Sequence, residues 1–185
     1  MLTTLGQIAD LRTGIYAKPG LSGGCVYLQA KDFDEDGKLS SSLYADLEIN
    51  RQTEKHLLKT GDVLFAAKGS KNFAALFAES DPPSVASTTF LVVTVRDARV
   101  SPEYLVWYLN NQSTQNYLKR EAIGSAMVSI SKEVLAEMEI RIPPLTTQEH
   151  ILRIAKLSEK EHELRSNIAK LRQSLIQYKI DKALK

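Results

Sequence analysis

The sequence contains a single cysteine, Cys25, among its 185 residues. One cysteine cannot form an internal disulfide, and three histidines at positions 56, 150 and 162 have no zinc-ligand spacing. No stretch approaches 18 consecutive apolar residues, and the N-terminus lacks the basic-then-apolar pattern of a signal peptide. These absences predict a cytoplasmic protein that has no structural metal and does not span a membrane.

Glycine and proline are also scarce, with 9 and 6 residues, while 43% of the residues are hydrophobic and 25% are charged. This composition is typical of one ordered globular domain with an extension, and it argues against disorder. The net charge of +2 is unevenly distributed. Residues 1–145 carry −2 and residues 146–185 carry +4. Any nucleic-acid binding by the first part must therefore depend on local basic patches.

The C-terminal segment has the most regular pattern in the chain. Pro143–Pro144 end the preceding structure, and Thr146-x-x-Glu149 has the form of a capping box, which predicts a helix from near Thr147 to the end. About 38 residues of helix would be about 57 Å long. Apolar residues recur at alternating steps of three and four, with Glu161 as the one charged interruption. This seam consists of Ile154, Leu157, Leu164, Ile168, Leu171, Leu175 and Tyr178.

A long helix with a narrow apolar seam is unstable alone in water, so it must pack against something. One possibility is lengthwise packing on its own domain, and the favoured one is a partner helix. The residues flanking one side of the seam are mostly basic: Ser158, Arg165, Arg172 and Lys179. In a parallel in-register pair Lys160 would face Arg165, which disfavours the parallel arrangement.

Residues 1–145 show strand patterns first and helical patterns later. The sequence therefore predicts an α+β protein, with a mixed globular domain at 1–145 and one long helix at 146–185. Strands are predicted at Cys25–Ala30, Leu43–Ile49, Val63–Ala67, Thr88–Arg96 and Glu139–Ile142, with a hairpin turn at Asp36–Gly37. Helices are predicted after Ser101-Pro102-Glu103, over Ser113–Ala122 and after Ser131.

Two short motifs suggest other chemistry. Asp32-x-Asp34-x-Asp36-Gly37 matches the first half of an EF-hand calcium loop, but Leu43 stands where the loop needs a bidentate glutamate. Asp81-Pro82-Pro83-Ser84 is similar to the motif with which amino-methyltransferases hold a flipped base, but serine replaces the stacking aromatic. A dispersed set of glycines offers no methyl-donor site, so the second motif is interpreted as a turn.

Candidate ligand-binding residues lie in three loops that carry basic or small polar side chains. They are Tyr16 and Lys18 in the first loop, Lys68, Gly69, Ser70, Lys71 and Asn72 in the second, and Ser125, Met127 and Ser129 in the third. Lysines can contact phosphates, glycine allows close backbone approach, and serine and asparagine can hydrogen-bond base edges. We expect these loops to form a DNA-binding surface.

Catalytic groups are not evident in the sequence. It shows no paired carboxylates, no Ser/His/Asp set, no phosphate-binding loop and no metal cluster. We therefore predict a binding protein without catalytic residues and without a cofactor.

The segment that joins the two parts carries a more specific signal. Ile140-Arg141-Ile142-Pro143-Pro144-Leu145-Thr146-Thr147-Gln148-Glu149-His150-Ile151 resembles the strand, diproline turn and long helix of type I restriction-modification specificity subunits. Weaker features similar to that family are Leu5-Gly6-Gln7-Ile8-Ala9, Tyr27-Leu28-Gln29-Ala30-Lys31-Asp32, Thr60-Gly61-Asp62-Val63-Leu64 and Ser101-Pro102-Glu103-Tyr104. The resemblance covers nearly the whole chain.

This resemblance implies a non-catalytic subunit in which a target recognition domain reads half of a split double-stranded DNA site. The helix would act as spacer and as dock for methyltransferase and restriction subunits. Typical members have two recognition domains and two antiparallel helical regions, whereas this chain has one of each, which implies a half-subunit that pairs with itself or a piece of a longer gene. The alternatives are a coiled-coil interaction scaffold that does not bind DNA and, less favoured, a small methyltransferase.

Overall fold

A computed structural model describes residues 2–20, 23–34, 37–39, 43–69, 71–78, 83–122 and 128–184. The chain divides into two compact units, Met1–Leu145 and Thr146–Lys185. Within the described ranges, no helix combines the length and the apolar character needed to cross a membrane. The α+β architecture that the sequence predicts is confirmed.

The first unit mixes short strands with short helices. Its strands are β1 (Leu2–Thr4), β2 (Ala9–Thr13), β3 (Val26–Leu28), β4 (Val63–Ala66), β5 (Lys68–Gly69), β6 (Ala74–Leu76), β7 (Ser84–Ala86), β8 (Phe90–Val95), β9 (Val128–Ser129) and β10 (Glu139–Arg141). Its helices are α1 (Leu5–Ile8), α2 (Arg51–Glu54), α3 (Pro102–Asn110), α4 (Gln112–Glu121) and α5 (Lys132–Glu137), with a 3-10 turn at Ala30–Asp32. Helix α6 runs from Leu145 to Ala183 and, apart from its first residue, forms the second unit.

A four-stranded antiparallel sheet in the order β2-β8-β4-β6 forms the centre of the first unit. Strand β8 lies inside the sheet because its Phe90-Leu91-Val92-Val93 segment is buried on both faces, as β-branched and aromatic runs favour. The sequence-based prediction of a central strand in this run is confirmed. On one face of the sheet, the rings of Phe33, Phe73 and Phe90 pack with centroid separations of 5.4 to 6.1 Å.

The predicted helix starts at Ser101 and Ser131 are also confirmed. The Ser101 hydroxyl accepts a hydrogen bond from the Tyr104 amide at 3.0 Å, and the Ser131 hydroxyl accepts one from the Val134 amide at 3.2 Å. Each side chain satisfies an amide that the first helical turn leaves without a partner. Strand β10 then pairs antiparallel with β1, so that Leu2 lies opposite Arg141 and the end of this unit is joined to its beginning.

Two predictions for the first half of the unit are wrong. Residues 43–49 form no strand: they meet the β3 segment at an isolated bridge between Cys25 and Leu47, and β3 has β7 as its strand partner, in parallel. The turn that precedes this segment is also different from the predicted hairpin turn, because it joins residues only a few positions apart. Gly37, with φ of +75°, lies between Phe33 and Leu39, which bridge each other. Asp36, which belongs to both the predicted hairpin and the calcium motif, lies outside the described residues.

Helix α6 begins two residues earlier than predicted. Pro144 is the last residue before the helix, and Thr146 lies inside the first turn instead of preceding it. Thr146 therefore does not cap the helix in the way that the sequence suggested. The 39 residues of α6 nevertheless correspond closely to the predicted helix.

Candidate nucleic-acid interface

Two of the three predicted loops lie on either side of one turn, Ser87–Thr89, between β7 and β8. The Ile15 amide donates to the Ala86 carbonyl at 2.8 Å, and Ile15 bridges Ser87 in parallel, which fixes the start of the Tyr16 segment. From the other side, the amides of Ala67 and Lys68 donate to the Thr89 carbonyl at 2.9 and 3.3 Å. The turn thus brings together segments that are about fifty residues apart in sequence.

The third predicted loop is joined to the second by a short antiparallel ladder. Strands β5 and β9 place Lys68 opposite Ser129 and Gly69 opposite Val128. The Ile130 amide extends the ladder by donating to the Ala67 carbonyl at 2.8 Å. We use the name "turn surface" for Tyr16, Lys18, Lys68, Gly69, Lys71 and Ser129 together with Thr88 and Thr89 of the turn.

The turn surface offers cationic, aromatic and hydroxyl groups to solvent. Lys18, Lys68 and Lys71 are exposed, and the Tyr16 ring is 73% exposed. Gly69 and Ser129 are partly exposed. Lysine ammonium groups suit phosphate oxygens, and an exposed aromatic ring can stack on a base or a sugar. The group is chemically suited to a polyanion that also presents planar bases.

Asn72 requires a correction. The sequence predicted it as an exposed base-reading side chain, but it is only 7% exposed and its Nδ2 donates to the Ala66 carbonyl at 2.7 Å. Its amide therefore holds the segment between β5 and β6 against the end of β4. Three other predicted residues, Ser70, Ser125 and Met127, lie outside the described residues.

Thr88 and Thr89 were missed by the sequence analysis. Both are partly exposed, and the Thr89 hydroxyl lies 2.6 Å from that of Ser87. In the sequence they are simply two threonines before the apolar run of β8. Threonine favours strands, so this pattern does not indicate a binding residue. The structure places them between the two lysine-bearing segments, where a hydroxyl can donate to or accept from a base edge.

Close backbone approach at the turn depends on Gly14. A Cβ built there would lie 2.1 Å from the Ser87 carbonyl oxygen and 2.4 Å from that of Ala86. Only glycine permits this approach, because both obstructing atoms belong to the backbone. Gly14 therefore sets the distance between the Tyr16 segment and the turn.

Replacing Gly69 with alanine should lower the free energy of unfolding by about 1 kcal/mol, because its φ of +144° disfavours any side chain. A Cβ there would have open space, with the Lys71 carbonyl as its nearest neighbour at 4.0 Å, so the cost is conformational and not steric. Urea unfolding measures the loss, and amide exchange of the β5–β9 ladder should accelerate. Unchanged exchange in this ladder would contradict the conformational argument.

Two of the described groups that could support catalysis, Asp62 and Cys25, have structural roles or surroundings. The buried Asp62 carboxylate accepts from the Thr94 hydroxyl at 2.6 Å, from the Lys59 amide at 2.9 Å and from the Arg12 guanidinium at 3.2 Å. Burial raises the pKa of the Cys25 thiol, which keeps it protonated. In the described part of the chain no group of three histidine, cysteine or acidic residues is arranged to bind a metal.

The apolar seam of α6 is a second candidate interface. All seven of its predicted side chains are between 50% and 70% exposed in the single chain. Isolated exposed apolar residues are common on proteins, but a continuous stripe of them along one helix is typical of an interaction site. The seam can pack against another helix with the same spacing.

The sequence matches the family described as type I restriction modification DNA specificity domain over residues 4–170. It is 28% identical over 126 residues to the specificity subunit of the type I restriction enzyme HindI from Haemophilus influenzae, which is 66% of this chain and 28% of that protein.

Solved structures share the fold at low sequence identity. The HsdS subunit from Thermoanaerobacter tengcongensis has a TM-score of 0.61 at 19% identity, over 87% of this chain and 37% of that one. The type I restriction-modification S subunit from M. genitalium has a TM-score of 0.60 at 16% identity, over 86% and 39%. The chain thus spans less than half the length of each of these relatives.

Proposed function

The chain belongs to the family of type I restriction-modification DNA specificity domains, and on that premise we propose that it is a non-catalytic subunit that reads DNA sequence. Residues 1–145 form the target recognition domain and read one half of a bipartite site in double-stranded DNA. Residues 146–185 pair antiparallel with a second copy or with another specificity half. The same helix serves as the dock for methyltransferase and restriction subunits. Such a subunit works in the cytoplasm, where the DNA and these subunits are.

The observation that carries this proposal is the turn surface. Two lysine-bearing segments start on either side of the Ser87–Thr89 turn, and backbone hydrogen bonds from Ile15 to Ala86 and from Ala67 and Lys68 to Thr89 fix those starts. Phosphate contacts position a protein on DNA, while hydroxyl and amide groups between them read base edges. The turn supplies the hydroxyls and its two flanks supply the cations.

Electrostatics supports a local contact. Residues 1–145 carry a net charge of −2, but the segment from 51 to 76 carries five basic residues and two acidic ones. Both lysines of the second loop belong to this segment. A duplex is therefore attracted by a small part of a domain that would otherwise repel it.

Replacing both Lys68 and Lys71 with alanine should weaken binding to every duplex and lower the slope of log K against log salt by about 2. Each exposed lysine that neutralises one phosphate releases about one counterion, so the loss is independent of base sequence. Fluorescence anisotropy with labelled duplexes at several salt concentrations measures both effects.

The matched control replaces Lys55 and Lys59, which are also exposed. Lys59 precedes β4 and Lys68 follows it, so the two lie at opposite ends of that strand. The control should lower the salt slope less than the Lys68/Lys71 variant does, because Lys55 and Lys59 belong to the attracting segment but are not proposed to contact phosphates. Unaltered affinity in the Lys68/Lys71 variant would show that the turn surface does not contact DNA. Absence of salt-dependent duplex binding in the unmodified chain would favour the interaction scaffold.

A further inference from the structure

Glu161 is the one charged residue that interrupts the spacing of the seam. Its carboxylate forms an ion pair on the side of the helix. Its Oε1 lies 2.7 Å from Nη2 of Arg165, one turn further along. Arg165 flanks the seam at the heptad position that follows Leu164. The carboxylate can therefore remain in this ion pair at the flank while the methylenes of Glu161 contribute to the seam.

Antiparallel pairing of two copies has one register that matches the seam best. If Leu164 faces Ile168 of the second copy, then Leu157 faces Leu175 and Ile154 faces Tyr178. The remaining seam residue, Leu171, then faces Glu161.

A shift by one heptad in either direction leaves two apolar pairs in place of three, and Glu161 then faces Tyr178 or Leu164. In one direction Leu157 faces Lys182 of the second copy, and in the other Leu175 faces His150. Apolar burial therefore favours the register in which Leu164 and Ile168 face each other.

This register places Arg165 directly across the two-fold axis from its own copy. Two facing guanidinium groups repel each other unless an anion lies beside them. Glu161 supplies one such anion for each arginine. On the other flank, Asn167 faces its own copy, and amides can pair because each has both donor and acceptor atoms.

We infer that Glu161 and Arg165 form a charged cluster at the two-fold axis of a self-paired α6, and that this cluster together with the seam selects the register in which Leu164 faces Ile168 of the second copy. The inference rests on the self-pairing proposed above and adds the residues that determine it. Glu161 therefore has a specific role in pairing and is not merely an interruption of the seam.

Disulfide cross-linking of the full chain tests the register. The Leu157→Cys/Leu175→Cys variant should form covalent dimers under mild oxidation, because these positions face each other in the inferred register. The Leu164→Cys/Leu175→Cys variant reports the register shifted by one heptad and should not cross-link. The single Leu157→Cys variant cross-links only if the helices are parallel. Native Cys25 is buried, so the unmodified chain controls for background.

The charge cluster is tested by the dissociation constant of the dimer. Glu161→Gln should raise it about 10-fold at low salt, less at high salt, and Arg165→Gln in the same chain should restore it. Glu163→Gln is the matched control, because it breaks an exposed ion pair with Lys160 while Glu163 itself occupies no seam position.

Each outcome of these experiments has a distinct meaning. Cross-linking of the 164/175 variant but not of the 157/175 variant, or tighter pairing of Glu161→Gln, would overturn the inference while leaving self-pairing intact. If light scattering finds the unmodified chain monomeric at micromolar concentration, the proposed self-pairing fails and the register has no meaning.

Discussion

Replacing Leu164 and Ile168 with alanine should convert the self-paired chain to monomers without changing the unfolding of residues 1–145. Both side chains are 50% exposed in the single chain and face each other in the inferred dimer, so each substitution removes contacts twice. A buried Leu→Ala change costs about 2 to 5 kcal/mol, so one such position occurring twice costs about 4 to 10 kcal/mol of pairing free energy. A loss of this size leaves monomers at micromolar concentration.

The matched control replaces Ile176 and Ile180, which are 59% and 48% exposed but lie outside the seam. It removes a similar amount of exposed apolar surface from the same helix. Light scattering should give half the mass for the Leu164/Ile168 variant and an unchanged mass for the control.

Monomers should also lose tight binding to a two-part DNA site, because only one recognition domain can then engage. The loss of effective concentration reduces avidity by a factor of about 10² to 10⁴. A variant that remains dimeric would show that this seam is not the pairing surface.

Replacing Asp62 with alanine should lower the free energy of unfolding of the first unit by about 3 kcal/mol. The Asp62 side chain is 1% exposed and accepts three hydrogen bonds that link β4, β2 and β8. Its removal leaves the Lys59 amide and the Thr94 hydroxyl without this acceptor. The Arg12 side chain, which is 31% exposed, keeps the His56 and Leu57 carbonyls as acceptors but loses its counter-ion. Loss of one member of a buried charged pair is strongly destabilising for this reason, and partial exposure of Arg12 reduces the cost.

The Asp10→Ala variant controls for charge. Asp10 pairs with Arg96 at 3.1 Å, but both side chains are more than half exposed, so its loss should cost less than about 1 kcal/mol. Urea unfolding followed by circular dichroism measures both variants. Equal stability of Asp62→Ala and Asp10→Ala would contradict the structural role assigned to Asp62.

Short-range sequence patterns correctly predicted helix α6, strand β8 and the two helix caps, which depend mainly on residues close together in the sequence. The alternating three- and four-residue spacing fixes one face of α6 whatever surrounds it. Strand β8 was predictable because four consecutive residues of it, Val92 to Val95, are β-branched. The caps at Ser101 and Ser131 could be predicted because each capping hydrogen bond joins residues less than four positions apart in the sequence.

The candidate interface could be predicted only as separate loops. Its assembly depends on the Ser87–Thr89 turn, whose partners at Ile15 and Lys68 are distant in sequence, and a single sequence carries no information about such pairings. Strands β5 and β9 have two residues each, too few to show a strand period. Asn72 was misjudged because a polar side chain in a polar segment suggests exposure, whereas here it satisfies the Ala66 carbonyl.

Selection of bound duplexes from a random pool, followed by sequencing, tests the central proposal most directly. Two recognition domains related by the two-fold axis of paired α6 helices should select two inverted copies of one short sequence, separated by a gap of constant length whose bases are not read. The Leu164→Ala/Ile168→Ala variant should enrich at most a single half-site. Enrichment of one ungapped, asymmetric site by the unmodified chain, or of no sequence at all, would contradict the proposal.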